Sequence, residues 1–215
     1  MKAIRSDRIE VAELLRQGSG LWRGGEFYPD RESGIATGFP LLDRHLAGHG
    51  WPRGAVVEIL SDHPGGAMVL LLPALATLSQ EAKQIVLVAP PYIPYAPGLL
   101  INGVDLTRLL LVHSRNEEES LWALEQVLNA GCGAALGWPQ ALQRTALRRL
   151  QLAAERGGGV GFLLCRPRLV RESSPAALRL RVTAAGNKVD ILKRRGGWPV
   201  EGVALQRERE AGSIG

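Results

Sequence analysis

The stretch VEILSDHPGGAMVLLLPALA has the layout of a phosphate-binding loop between a strand and a helix. Such a loop reads G-x-x-x-x-G-K-[ST], in which the lysine neutralises the phosphates and the hydroxyl residue holds Mg²⁺. Gly65 and Gly66 supply the turn. Placing Gly66 on the second glycine puts Ser61 on the first, Ala67 on the lysine and Met68 on the hydroxyl residue.

The loop therefore lacks the two groups that compensate phosphate charge. Several unit charges would enter a closing site without a partner, which costs at least several kcal/mol. We expect a degenerate loop with no catalytic residue and no bound nucleotide or other cofactor. A loop that still binds nucleotide without hydrolysing it is the alternative.

Other residues with reactive side chains have spacings that argue against a site. His45 and His49 are four residues apart, but Gly48 interrupts the helix that would bring them to one face, and no further ligand follows. The consecutive Ser61, Asp62 and His63 cannot form a nucleophilic triad among themselves. We predict no metal site.

Basic residues are concentrated in the C-terminal third of the chain. The net charge is +5, and residues 141–195 contain 13 Lys and Arg against three acids. Such a patch predicts contact with DNA or an acidic protein surface, with a merely solvated surface as the alternative. The candidate contact residues are Arg144, Arg148, Arg168, Arg171, Lys193, Arg194 and Arg195.

Apolar strand patterns alternate with helical patterns along most of the chain. The strands are predicted at 55–60, 84–89, 109–113, 132–138 and 160–167, and the helices at 66–80, 116–131 and 140–159. A β-hairpin over 178–195 and a strand within 200–208 follow. This order predicts an α/β fold with a mostly parallel sheet, flanked by helices and completed by a C-terminal hairpin.

The remaining segments complete the expected organisation. We divide the chain into an N-terminal helix and connector at 1–30, a core domain at 31–205 and a flexible tail at 206–215, with the helix itself at 3–17. No apolar run is long enough for a membrane helix. Without an export signal, and with two cysteines lacking metal-type spacing, the sequence predicts a cytoplasmic protein with no membrane partner.

The segment TGFPLLDRHLAGHGWPRGAVVEI resembles the approach to the phosphate loop in RecA-type recombinases. That family has a T-G-x-x-x-L-D pattern, a glycine-rich stretch ending in P-x-G, and a strand reading V-E-I. The matches, in order, are Thr37, Gly38, Leu42, Asp43, Gly50, Pro52, Gly54, Val57, Glu58 and Ile59. The resemblance implies a RecA-like fold.

RecA proteins also use a catalytic glutamate and a Walker-B aspartate, and these positions fall on Pro90 and Pro139 here. Together with Ala67 and Met68, the replacements imply that ATPase chemistry is absent. MVLLLPALATLSQEAKQIVLVAPP and ALGWPQALQRTALRRLQLAAERGGGVGFLLCRP resemble SulA division inhibitors. The upstream T-G…L-D…P-R-G pattern and VDILKRRGGWP resemble the ImuA family of RecA-like proteins, and the likeness covers roughly residues 20–205.

Membership of the ImuA family implies a non-catalytic accessory role in SOS-induced translesion DNA synthesis and mutagenesis. The implied partners are an ImuB-like Y-family polymerase homologue, an error-prone DNA polymerase and RecA, with a weak DNA contact. The alternative is a SulA-like inhibitor of cell division that binds FtsZ. That function does not need the segment from Thr37 to Ile59.

Overall fold

The alternating pattern builds one eight-stranded sheet in the computed structural model, which describes residues 33–62, 64–167 and 174–207. The strands are β1 Ala55–Leu60, β2 Ile85–Val88, β3 Leu109–Val112, β4 Ala134–Gly137, β5 Val160–Cys165, β6 Leu178–Val182, β7 Lys188–Lys193 and β8 Val200–Ala204. The α-helices in these ranges are α1 Pro40–Asp43, α2 Pro64–Gln80, α3 Ala96–Ile101, α4 Glu117–Asn129 and α5 Arg144–Gly157.

The strand order confirms the predicted mostly parallel sheet. The order is β3-β2-β4-β5-β1-β6-β7-β8. The first six strands in this order run parallel to one another, and β7 and β8 join antiparallel at the end. The carboxyl ends of the parallel strands therefore share one edge, which is where open α/β sheets bind ligands.

Helices cover both faces of the sheet, so the central strands are buried on both sides. One core cluster joins α2 to strand residues such as Val57 and Ile59. The second joins α4 and α5 to alternate residues such as Val56 and Leu60. Successive residues of β1 therefore face the two clusters in turn. Both faces of the strand are buried, so both need mostly apolar side chains.

The T-G-x-x-x-L-D pattern forms a turn that fixes how the chain enters the core. The backbone N–H of Thr37 donates to Asp43 Oδ1 at 3.1 Å, and the N–H of Phe39 donates to Thr37 Oγ1 at 3.0 Å. Gly38 has φ near 80°, and a Cβ there would lie 2.4 Å from the Cβ of Pro73 in α2. The pattern thus has a structural role in this chain.

Most predicted elements are present, with three differences. The helix predicted from residue 140 begins at Arg144, and the helix predicted from residue 66 begins at Pro64. The stretch PPYIPYAP at 90–97 predicts a rigid proline-rich loop, whereas Ala96–Ile101, which begins within it, is helical, with Pro97 in its first turn. The predicted helix at 3–17 and most of the tail lie outside the described residues.

Among the helices that the structure describes, none combines the length and the apolar character needed to traverse a lipid bilayer.

Candidate functional site

The positions matched to the phosphate loop lie at the carboxyl edge of the parallel strands. β1 ends at Leu60 and α2 begins at Pro64, so Gly65, Gly66 and Ala67 belong to the first turn of a helix. The sequence had placed both glycines in a turn before or at the start of that helix. Because both glycines already belong to the helix, the connection between β1 and α2 is short.

Ala67 and Met68, at the lysine and hydroxyl positions, are directed to the core of the protein. Ala67 is fully buried in the cluster between α2 and the sheet. Met68 is half-buried and packs against the same cluster. A side chain at position 67 therefore meets apolar neighbours, where a phosphate-binding lysine would need an open path to its ligand.

An apolar cavity of about 280 Å³ lies beside this helix turn. Its wall includes Met68 and Leu72 from α2, Leu99 from α3, and Pro90 and Trp138 from the ends of β2 and β4. The lining residues carry no acid, lysine or arginine. This composition fits apolar side chains and offers no charge to a phosphate group.

A second cavity of about 50 Å³ lies next to the first, and both are lined by Pro91 and Trp138. Ser61, Ala67 and Pro139 line it together, with Arg166 as its charged residue. The positions matched to the phosphate loop and to the Walker-B aspartate therefore converge at one place. We call the two cavities together the carboxyl-edge groove.

Five large apolar side chains are exposed on the segment from Tyr92 to Ile101, and three of them, Tyr92, Ile93 and Tyr95, line the main cavity. They are Tyr92, Ile93, Tyr95, Leu100 and Ile101, with exposed fractions from 56% to 91%. The sequence did not predict this surface, because the proline-rich stretch indicated only a rigid loop. The signal available in the sequence was the number of large apolar residues among the prolines of PPYIPYAPGLLI.

The basic candidates on α5 share one exposed side of that helix. Arg144 and Arg148 are one turn apart and exposed. Arg149 is also exposed but forms an ion pair with Glu125 of α4. The structure thus keeps Arg144 and Arg148 together on a solvent-facing surface, as their spacing predicted.

Lys193 and Arg195 of the predicted basic triplet are exposed and Arg194 is half-buried, and both Lys193 and Arg194 have hydrogen-bond partners within the chain. Lys193 Nζ donates to the carbonyl oxygens of Ser174 and Ala176, and burial lowers its pKa. Arg194 donates to the carbonyls of Trp198 and His45. Each is held within the chain because alternate residues of an extended segment face opposite ways.

Arg195 lies 3.8 Å from Glu155 at the end of α5. Its guanidinium is about half exposed, so the contact is a surface ion pair of the weak kind. Arg168 and Arg171 lie outside the described residues. The prediction that these basic residues contact DNA or a partner stays a prediction.

Both cysteines are buried thiols in the part of the chain that the structure describes. Burial raises the pKa of Cys132 to about 11. Burial, with a smaller effect from the charge of Glu58, raises the pKa of Cys165 to about 12. The described ranges contain no cluster of three or more His, Cys, Asp or Glu side chains that could hold a metal ion.

Comparison with known proteins gives a clear relative. The chain is 32% identical to Protein ImuA of Caulobacter vibrioides over 209 residues, which covers 83% of this chain and 84% of that protein. The chain belongs to the ImuA family. No family model matches the sequence.

Other relatives of this ImuA-family chain match shorter segments. Protein RecA of Streptomyces venezuelae is 32% identical over 126 residues, which is 56% of this chain but only 32% of that protein. Cell division inhibitor SulA of Photorhabdus laumondii is 28% identical over 111 residues, covering 51% of this chain and 63% of SulA. The solved structure of SulA from Pseudomonas aeruginosa is 28% identical, with a TM-score of 0.44, and covers 51% of this chain and 97% of that one.

Proposed function

We propose that this protein is a non-catalytic, RecA-like accessory factor in SOS-induced translesion DNA synthesis and mutagenesis. The observation that carries the proposal is the carboxyl-edge groove. Where a RecA-type ATPase binds phosphate, this chain has buried Ala67 and half-buried Met68 beside an apolar cavity. Such a surface suits a protein ligand.

Electrostatics support the same conclusion. A nucleoside triphosphate brings several negative charges, whereas Arg166 is the charged residue in the lining of the groove. One guanidinium leaves most of that charge uncompensated when water is excluded, at a cost of several kcal/mol. We therefore propose that the protein works without ATP hydrolysis and without a bound cofactor.

Family membership supports the choice of partners. We propose that the protein acts in the cytoplasm with an ImuB-like Y-family polymerase homologue, an error-prone DNA polymerase and RecA. Arg144 and Arg148, exposed together on α5, are the described basic residues best placed for an acidic partner surface or a weak DNA contact.

A second candidate is inhibition of cell division through FtsZ. The similarity to SulA over 51% of this chain favours it. The similarity to ImuA spans 83% of the chain and therefore covers far more of the molecule. The ordered turn from Thr37 to Asp43, which follows the RecA pattern, also favours the first candidate.

A pull-down of the tagged protein from DNA-damaged cells distinguishes these functions. We expect enrichment of the polymerase homologue and the error-prone polymerase over undamaged and untagged controls. Enrichment of FtsZ without either polymerase component would overturn the proposal in favour of division inhibition.

Equilibrium binding of labelled ATP with Mg²⁺ tests whether the degenerate loop binds nucleotide. We expect no saturable binding at micromolar concentrations. Micromolar affinity that disappears in the Gly66→Arg variant would mean that the degenerate loop still holds nucleotide.

A further inference from the structure

The carboxyl-edge groove opens onto an unusually apolar part of the surface. Tyr92, Ile93 and Tyr95 are 74%, 91% and 74% exposed, and Leu100 and Ile101 of α3 are 56% and 86% exposed. A cluster of this kind on one short segment marks an interaction site, because isolated exposed apolar residues are ordinary but contiguous ones are not. The segment is rich in proline, so it loses little conformational freedom when a ligand binds.

The size of the main cavity limits the kind of ligand. About 280 Å³ lies at the lower end of the range for small-molecule pockets. It suits one or two apolar side chains projecting from a partner segment. Trp138, shared by both cavities, places an aromatic ring between the apolar end of the groove and the end that contains Arg166.

The positive charges next to the groove indicate which charge the partner segment should carry. Arg166 lines one end. At the other end, the guanidinium of Arg207 donates to Asn102 Oδ1 at 3.3 and 3.4 Å, and Asn102 lines the main cavity. Two acids lie near the Arg166 end without lining the groove. Asp62 is exposed and follows Ser61 in the chain, and half-buried Glu117 accepts a hydrogen bond from the backbone N–H of Gln140, which lines the small cavity.

We propose that the carboxyl-edge groove docks a segment of a partner protein that carries an aromatic or aliphatic anchor flanked by acidic residues. The anchor fills the apolar cavity beside Met68 and Tyr95, and the acids meet Arg166 and Arg207. This proposal rests on the proposed function, because a groove that docks a protein segment cannot at the same time hold a nucleotide. It specifies the chemistry of the partner segment that the accessory role requires.

Fluorescence anisotropy with three short fluorescein-labelled peptides tests the proposal on the full-length chain. The first peptide has phenylalanines between aspartates, the second has lysines in place of the aspartates, and the third has serines in place of the phenylalanines. We expect saturable binding of the first peptide, and binding of the other two weaker by about tenfold or more, since each loses one of the two recognition elements.

Two variants and two matched controls locate the binding. Ile93→Ser removes an exposed apolar contact at the groove, and Leu152→Ser removes one on α5, where Leu152 is 41% exposed. Arg166→Glu reverses the charge at the groove, and Arg156→Glu reverses an exposed charge on α5. We expect the groove variants to weaken binding of the first peptide by about tenfold each and the α5 variants to leave it unchanged.

Several results would overturn the proposal. They are no saturable binding of the first peptide, equal binding of the acidic and basic peptides, and equal loss in the groove and α5 variants. A concentration-dependent dimer abolished by Ile93→Ser would assign the groove to a second copy of the chain.

The outcome is separable from that of the proposed function. If peptide binding fails while the pull-down still recovers the polymerases, only the groove assignment is wrong. If the peptide binds at the groove but FtsZ is the protein recovered from damaged cells, the docking chemistry stands and the accessory role in translesion synthesis is wrong.

Discussion

Ala67 shows how one residue separates this site from a phosphate loop. Its methyl group is fully buried in the main core cluster and lines the small cavity, so restoring the lysine of the motif would place an ammonium group in a buried site whose charged lining residue, Arg166, is also positive. We expect Ala67→Lys to lower the free energy of unfolding by several kcal/mol, because a buried charge without a partner is strongly destabilising. Urea unfolding measures the change.

The matched control is Gly65→Lys, in the same first turn of α2. Gly65 is exposed, and a Cβ there has no atom within 4 Å. We expect this variant to change the free energy of unfolding by less than about 1 kcal/mol. Equal effects of the two lysines, or saturable ATP binding by Ala67→Lys, would contradict the burial of position 67.

The two buried thiols predict a loss of stability in alkali. Folding raises the pKa of Cys132 to about 11 and that of Cys165 to about 12, from an ordinary value of 9.0. Above about pH 9 the unfolded chain therefore loses thiol protons that the folded chain keeps, so the free energy of unfolding falls as pH rises. Below that pH both states are protonated and these residues contribute no pH dependence.

Denaturant unfolding between pH 8 and about 10.5 measures this slope. We expect a shallower slope for the variant with Cys132→Ala and Cys165→Ala together. An unchanged slope, or rapid reaction of both native thiols with Ellman's reagent near neutral pH, would contradict their burial.

At the scale of elements, a buried ion pair joins β1 to β6. Glu58 and Arg179 are aligned in the parallel register, and Arg179 Nε donates to Glu58 Oε2 at 3.1 Å. Glu58 is 1% exposed and Arg179 is 7% exposed. The glutamate of the V-E-I strand thus holds together the central sheet and its C-terminal extension.

Removing the carboxylate of Glu58 takes this ion pair away from the buried guanidinium of Arg179. We expect Glu58→Gln to lower the free energy of unfolding by about 3–5 kcal/mol and Glu58→Met with Arg179→Met to recover much of that loss. Glu119→Gln, at the exposed pair with Arg115, is the control and should cost far less. A double variant as unstable as Glu58→Gln would show that the loss does not come from the charge that the single substitution leaves behind.

The sequence predicted the elements whose signals are local. Predominantly apolar runs identified strands such as β1 and β5. Asn116 and Gly158 mark the start of α4 and the end of α5 as capping residues do. The proline-rich segment from Pro90 gave no such signal. Its prolines indicated a rigid loop, and a sequence does not say which apolar side chains of such a loop lack a neighbour.

The site was predictable only in part for the same reason. The order T-G…L-D…P-R-G…V-E-I located the loop and its missing lysine from sequence alone. The groove depends on contacts between distant segments, since Met68, Tyr95 and Trp138 meet only in the folded chain. The separation of Lys193 from Arg194 likewise depends on carbonyl partners far along the chain.

For the whole molecule, the basic side of α5 predicts a salt-dependent contact. We expect Arg144→Ala with Arg148→Ala to weaken binding of a single-stranded oligonucleotide and to flatten the slope of log K against log salt by about 1–2, since each phosphate contact contributes ~0.7. Arg156→Ala, also exposed on α5, is the control. An unchanged affinity and slope would leave both arginines as solvated surface.

The accessory role itself is tested most directly by the frequency of damage-induced mutations in cells that lack the gene and carry a plasmid copy. The informative variant is Gly66→Asp. Position 66 does not line the groove, and an aspartate in the first turn of α2 favours the helix but repels phosphate. We expect the wild-type and Gly66→Asp copies to restore induced mutation equally, and Ile93→Ser to restore less. Loss of induced mutation in a folded, normally expressed Gly66→Asp protein, together with saturable ATP binding by the wild type that this variant loses, would show that the function needs a bound nucleotide and would contradict the account.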